Sequence, residues 1–352
     1  MASPKDPGFR PEPFRAAPWL PGAHAQTVAG RLFRRPRPPA FRRERIELPD
    51  GDFVDLDVPP SPGPGAPVVL LLHGLEGSAR RGYAIHTYRE LHERGVAAVG
   101  LNFRSCSGEP NRSARFFHSG DTDDLRFVLD LLAERFPGVP RGAVGFSLGG
   151  NALLKYLGEE GDTARRRLAA AVAVSVPYDL DAGARALERG PMGRLYTRIF
   201  LKSLIAKMEA KSVLLNGTCD TARVRRARTF REFDDAATAP IHGFASAADY
   251  YARSSSAGFL PAIRVPTLLL HAEDDPFLPG RWFPRDAVAD NPCVQAVLTR
   301  AGGHVGFIEG PPWSPRFWAE RQAAMFLAAA LASSVPGRGP ATGPGLACER
   351  RT

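Results

Sequence analysis

Cysteine is scarce. Cys106, Cys219, Cys293 and Cys348 are the only four in 352 residues, and they form neither a CxxC pair nor a zinc-type Cys/His spacing. No disulfide framework or structural metal is therefore expected, and a reducing, cytoplasmic setting fits. No window approaches 18 uncharged apolar residues, and the opening stretch lacks the apolar core of a signal peptide, so a soluble, unexported protein is expected. GxGxxG, GxxxxGK[ST] and HExxH are all absent, which argues against dinucleotide, P-loop and zincin chemistry, and nothing calls for a cofactor. Lysine is also rare: 5 of the 46 basic residues, the other 41 being arginine, in a chain of net charge +9. Without RNP-like aromatics, a helix-turn-helix signature or a zinc finger, that charge does not point to nucleic acid.

What is present is an ordinary globular balance, 44% hydrophobic and 24% charged, in an alternating pattern. Short apolar runs at Val68–Leu72, Val96–Leu101, Ala143–Val144, Ala169–Val176, Val265–Leu270 and Val294–Leu298 have the length of strands buried on both faces. Amphipathic stretches near 83–94, 121–135, 148–158 and 314–332 separate or follow them. That alternation predicts an α/β fold, a mostly parallel sheet with helices on both faces. Arg45 to Val58, broken at Pro49-Asp50-Gly51, reads as an antiparallel hairpin on the sheet edge. About 88 residues separate Val176 from Val265, too many for a simple connection, and imply a helical cap insertion. The expected organisation is a Pro/Arg-rich N-terminal extension (1–40), a catalytic domain (41–176 and 262–334), a cap (177–261) and a disordered tail (335–352).

The sharpest motif is Gly145-Phe-Ser147-Leu-Gly149, preceded by a strand and followed by the helical NALLKYLG. A serine on a strand-to-helix turn needs small flanking residues, and this context makes Ser147 the expected nucleophile. A serine hydroxyl needs a base, and on such a fold the order is serine, acid, histidine. His304, in the Gly-flanked loop AGGHVGF, is the expected base. His271, at the end of a strand, reads as a buried structural imidazole. The acid lies in Glu273-Asp274-Asp275-Pro276, where Asp275 is preferred and Asp274 is expected as a solvated or turn-forming neighbour. Oxyanion donors are expected from the backbone amides of Leu148 and of Leu75 in His73-Gly-Leu-Glu-Gly77, with His73 bracing that loop.

These elements resemble the α/β-hydrolase superfamily, specifically its YheT-like branch of serine hydrolases related to eukaryotic esterases and lipases. The resemblance spans about residues 15–332. It rests on Pro21-Gly-Ala-His-Ala-Gln-Thr27, His73-Gly-Leu-Glu-Gly77, Asn102-Phe-Arg-Ser-Cys-Ser-Gly108, Gly145-Phe-Ser-Leu-Gly-Gly150 and Ser175-Val-Pro-Tyr-Asp-Leu180. It continues through Asp234, Gly243-Phe244, Asp249-Tyr250-Tyr251, Ser255, Ile263 and Pro266 to Asp274-Asp275, with the family pattern ending on Asp275. The chain departs at Ser105, where the family has glycine. The resemblance implies hydrolysis of small-molecule carboxylic esters of short or medium acyl chain. Acyl transfer through the same serine, or a hydrolase fold kept as a binding module, are the alternatives.

Positive charge concentrates at 31–45, with seven Arg and one Glu, and at 185–231, with twelve Arg/Lys and three acids. In the second segment Tyr196, Phe200, Leu204 and Met208 recur at i, i+4, with Arg194, Arg198 and Lys202 on another face. The stripe is expected to pack on the catalytic body with a solvated basic face; weak association with an anionic membrane surface is the other reading. Cys106 is expected to be packing. Oligomeric state is left open.

Overall fold

The structure, a computed structural model, describes residues 9–334, so the expected tail at 335–352 lies outside the described residues. Its centre is an eight-stranded sheet: β1 (Arg42–Glu47), β2 (Phe53–Val58), β3 (Val68–Leu72), β4 (Ala97–Asn102), β5 (Arg141–Phe146), β6 (Ala170–Val174), β7 (Thr267–Ala272) and β8 (Val294–Thr299), in the spatial order β1-β2-β4-β3-β5-β6-β7-β8. The hairpin β1–β2 forms one edge and joins β4 antiparallel; β3 to β8 are parallel to one another. Before β6, among the described residues, come the α-helices α1 (Ala23–Phe33), α2 (Gly82–His92), α3 (Asp123–Arg135) and α4 (Leu148–Glu160). Between β6 and β7 run α5 (Leu180–Leu187), α6 (Gly190–Ala210), α7 (Thr221–Arg226), α8 (Phe230–Phe233), α9 (Ala239–His242) and α10 (Ala247–Ser254); α11 (Arg285–Asp290) and α12 (Trp318–Ser333) follow β7 and β8.

The unbroken VVLLL of β3 lacks a polar alternate because both sheet faces are covered. Leu70 and Leu72 pack with Leu125 and Leu129 of α3 and Leu153 and Leu157 of α4. Val69 and Leu71 pack with Tyr88 and Leu91 of α2 and Trp318, Phe326 and Leu327 of α12. Each such side chain, fully buried, contributes roughly 1.5–3 kcal/mol. The last helix begins four residues later than its periodicity suggests: Pro315 interrupts it, and Arg316–Phe317 pair with Ile308–Glu309 as short strands. From β3 the chain steps to β4 on one side and then crosses back to β5 on the other, so the direction of winding reverses at β3. That is the topological switch point where α/β sheets bind ligands beyond the strand carboxyl ends.

The helices between β6 and β7 are locally capped, α5 by Asp179 accepting from the Ala182 amide at 2.9 Å and α10 by Ser246 accepting from Asp249 at 3.2 Å. They carry a satellite core of Leu201, Met208, Leu215, Val224 and Phe233. Of the α6 stripe, Tyr196 and Met208 are buried while Phe200 and Leu204 face an internal cavity. Cys106 and Cys219 are free thiols, whereas Cys293 is in a disulfide, so the expectation of unbridged cysteines fails at that residue.

Candidate active site

Ser147 sits between the last residue of β5 and the first of α4, with φ 52° and ψ −120°. A residue with a Cβ pays about 1–3 kcal/mol for such a conformation, and the surroundings must hold it. Here the Ser147 amide donates to the Val174 carbonyl at 2.8 Å, and that of Asn151 returns to the Ser147 carbonyl at 3.0 Å. The flanking glycines are required by contact. A Cβ on Gly149 would lie 2.5 Å from the His73 carbonyl oxygen, and one on Gly145 would lie 2.5 Å from that of Gly149.

His304 meets this serine from the loop after β8. The Ser147 hydroxyl donates to His304 Nε2 at 2.9 Å, and His304 Nδ1–H donates to Asp275 Oδ2 at 2.9 Å. Asp275 is buried at the end of β7, its Oδ1 accepting from the amides of Phe277 (2.8 Å) and Leu278 (3.3 Å). Phe277 then folds back and stacks on the imidazole, centroids 4.1 Å apart and planes 13° from parallel. Of the two roles expected of Asp274, solvated or turn-forming, the turn is the one it takes, directly after β7. It is half-buried and accepts from the Gly303 amide at 2.8 Å, bracing the histidine loop, and burial raises its pKa. His271 is buried, with Nε2 bonded to the Leu278 carbonyl at 2.9 Å.

The opposite wall is the loop after β3. His73 Nδ1–H donates to the Gly74 carbonyl at 2.8 Å and Nε2 accepts from the Phe103 amide at 3.2 Å, fixing the tautomer. Complete burial pushes its pKa down to about 3, so the ring is a neutral brace. Among the described residues the amides of Leu75 and Leu148 have no hydrogen-bond acceptor, and both residues line the cavity that Ser147 enters. Glu76 adopts φ 53° and is tethered to α6 through Lys207, whose ammonium donates to Glu76 Oε1 at 2.7 Å, and through Ser203. Cys106 stands 3.5 Å from Lys207, and burial raises its thiol pKa, so it is not a ready thiolate. At Ser105, the departure from the family, φ is 61°: the position favours glycine, and the serine is held there by bonds with Asn111, donating to its Oδ1 at 2.5 Å and accepting from its amide at 3.1 Å.

One layer of support was not read from the sequence. Residues before β1 form the outer brace of the histidine loop. The His304 amide donates to Thr27 Oγ1 at 2.9 Å. Arg34, buried, donates to the carbonyls of Val305 and Gly306, both at 2.7 Å, while its Nε reaches Glu320 Oε1 at 2.6 Å. Gln26 and Thr27 stood in the family motif; nothing in the sequence singles Arg34 out among 41 arginines.

The cavity around Ser147 has a volume of about 760 Å³ and a mostly apolar lining, within the usual range for small-molecule sites. Phe200, Phe277 and Tyr196 border it near His304. A more polar region holds His118, His242, Asp234 and Tyr251. Burial pushes His242 down to about 4 and Asp234 up to about 6, and Tyr251 donates to Asp234 Oδ2 at 2.7 Å. Among the described residues no cluster of His, Cys, Asp and Glu is arranged to hold a metal ion.

A family model for the alpha/beta hydrolase fold matches residues 67–311. The chain is 42% identical over 301 residues to YheT of Escherichia coli, covering 84% of this chain and 87% of that protein. It is 32% identical over 300 residues to the mouse phospholipase ABHD3, covering 83% and 72%. Against the monoacylglycerol lipase of Saccharomyces cerevisiae the identity is 33% over 268 residues, 74% of this chain and 59% of that one. Among solved structures, 2,6-dihydroxy-pseudo-oxynicotine hydrolase superposes with a TM-score of 0.54 at 19% identity, covering 88% of this chain and 72% of that one, a likeness of fold. The chain belongs to the α/β-hydrolase family, in its YheT-like branch, and is a carboxylic ester hydrolase.

Proposed function

We propose that the protein hydrolyses carboxylic esters of short or medium acyl chain, including lipid-derived ones, through an acyl-enzyme on Ser147, with residues 177–261 as the cap that shapes the pocket. The observation that carries this reading is the unbroken hydrogen-bond chain from Ser147 Oγ through His304 to Asp275. As Ser147 attacks the ester carbonyl, His304 Nε2 takes its proton and then gives it to the leaving alkoxide. Asp275 holds the ring in the Nδ1–H tautomer and stabilises the imidazolium. The Leu75 and Leu148 amides receive the tetrahedral oxyanion, each donor typically worth about 10² to 10³ in rate. Water, activated by the same imidazole, releases the acid. The mostly apolar cavity supports an acyl chain as its occupant, and the lipase and phospholipase among the relatives are consistent with lipid-derived esters.

A fluorophosphonate probe read by intact mass tests the nucleophile, and a p-nitrophenyl ester series of increasing chain length tests the substrate class. One adduct on the wild type and none on Ser147→Ala is expected, with turnover peaking at short or medium chains. An adduct that persists on a folded Ser147→Ala variant would refute the assignment.

A further inference from the structure

The mouth of the cavity is built differently from its interior. α1 and α6 meet beside it, His24 Nδ1 lying 3.1 Å from the Tyr196 hydroxyl. Val28 and Leu32 of α1 and Ile199 of α6 line the cavity, yet they are 40%, 51% and 46% exposed; Leu195, one turn before Ile199, is 47% exposed. The exposed large hydrophobics among the described residues number nine, and five of them, Phe33 included, fall on these two helices. Aliphatic side chains gathered in this way mark a surface that something covers.

Charge says what that something is. Arg31, Arg194, Arg198 and Lys202 are exposed on the same two helices, and among the described residues none of them is in an ion pair, while Arg43, Arg45 and Arg104 each hold a carboxylate. α1 contains no acid, and the only acid of α6, Glu209, lies at its far end and is paired with Arg225. Aliphatic residues interleaved with unpaired cations, and no acid among them, match an anionic lipid surface: the apolar groups enter the headgroup boundary and the cations meet the phosphates.

We infer that the α1–α6 face is a docking surface for an anionic lipid interface, opening the cavity mouth directly onto the membrane so that an ester enters without crossing water. The inference adds a partner to the hydrolytic reading, and its test does not depend on that reading. The full chain is sedimented with vesicles of phosphatidylcholine alone or mixed with phosphatidylglycerol, at low and high salt, alongside a water-soluble ester assay. Binding to the phosphatidylglycerol vesicles, weakened by salt, is expected. Leu195→Asp, and the triple variant Arg194→Gln/Arg198→Gln/Lys202→Gln, change residues outside the cavity lining. Both are expected to keep the soluble-ester rate. The triple variant should lose about a hundredfold in partition, since each basic residue near an anionic leaflet is worth roughly fivefold. Val213→Asp, at a residue 89% exposed elsewhere, should bind as the wild type. Docking is refuted if the wild type ignores the vesicles or binds both compositions equally, or if Leu195→Asp and the triple variant bind them as the wild type does. A protein that docks but hydrolyses nothing would instead sink the proposed function and leave the surface standing.

Discussion

Removing the Arg34 guanidinium separates the brace of the histidine loop from the chemistry it supports. Arg34 spans three acceptors, Glu320 Oε1 and the carbonyls of Val305 and Gly306. Glu320 is fully buried, and its Oε2 has no hydrogen-bond partner. Burial already raises the Glu320 pKa against the lowering pull of Arg34. In Arg34→Met that carboxylate stays buried without its counter-charge, and breaking such a pair typically costs 3–5 kcal/mol. A whole domain is stable by only about 5–15 kcal/mol, so a milder variant is needed alongside. Arg34→Lys keeps one charge but cannot bridge all three acceptors, and the carbonyl left bare costs about 1–3 kcal/mol. In Arg34→Met/Glu320→Met the stranded charge is gone, so part of the loss should return while the loop carbonyls stay unsatisfied. Urea denaturation measures stability and p-nitrophenyl ester turnover measures the site. Stability is expected to rank wild type, Arg34→Lys, the double variant and Arg34→Met in falling order or with the middle two level. Turnover should stay depressed in the double variant because His304 is less firmly held. A loss below about 1 kcal/mol in Arg34→Met, or a double variant as unstable as the single, would refute the reasoning.

Asp275→Asn should lower kcat by about 10⁴, the scale set by losing the correct histidine tautomer in serine hydrolases. Asp274→Asn keeps an acceptor for the Gly303 amide and should cost far less; steady-state kinetics on both variants checks the assignment, and equal losses would overturn it. A pH series of urea denaturations tests the buried histidines. His242 has a folded pKa of about 4 against about 6.5 when unfolded. Between those values the unfolded chain binds more protons, so stability is full above pH 6.5 and falls as pH drops toward 4. His242→Gln should remove up to about 3 kcal/mol of that acid loss; an unchanged acid slope would contradict the burial.

Hydrophobic periodicity and turn chemistry are local, and what depends on them could be read directly from the chain. The apolar runs became β3 to β8 because strands buried on both faces need no polar alternate, and the hairpin followed its Pro-Asp-Gly break. Ser147 was legible because the strained turn it occupies admits only glycine at 145 and 149. His304 and Asp275 were legible from chain order and loop placement. The bond from the Gly303 amide to Asp274 was not, since adjacent carboxylates differ only in which amides and rings the fold brings to them. Arg34 was invisible for the same reason: its partners lie more than 270 residues away. The division of α6 into a cavity face and an outward aliphatic rim also needed the tertiary structure. A helix's periodicity states that it has faces, and only the neighbouring α1 and the sheet decide which face looks into the pocket and which is left for solvent or a membrane.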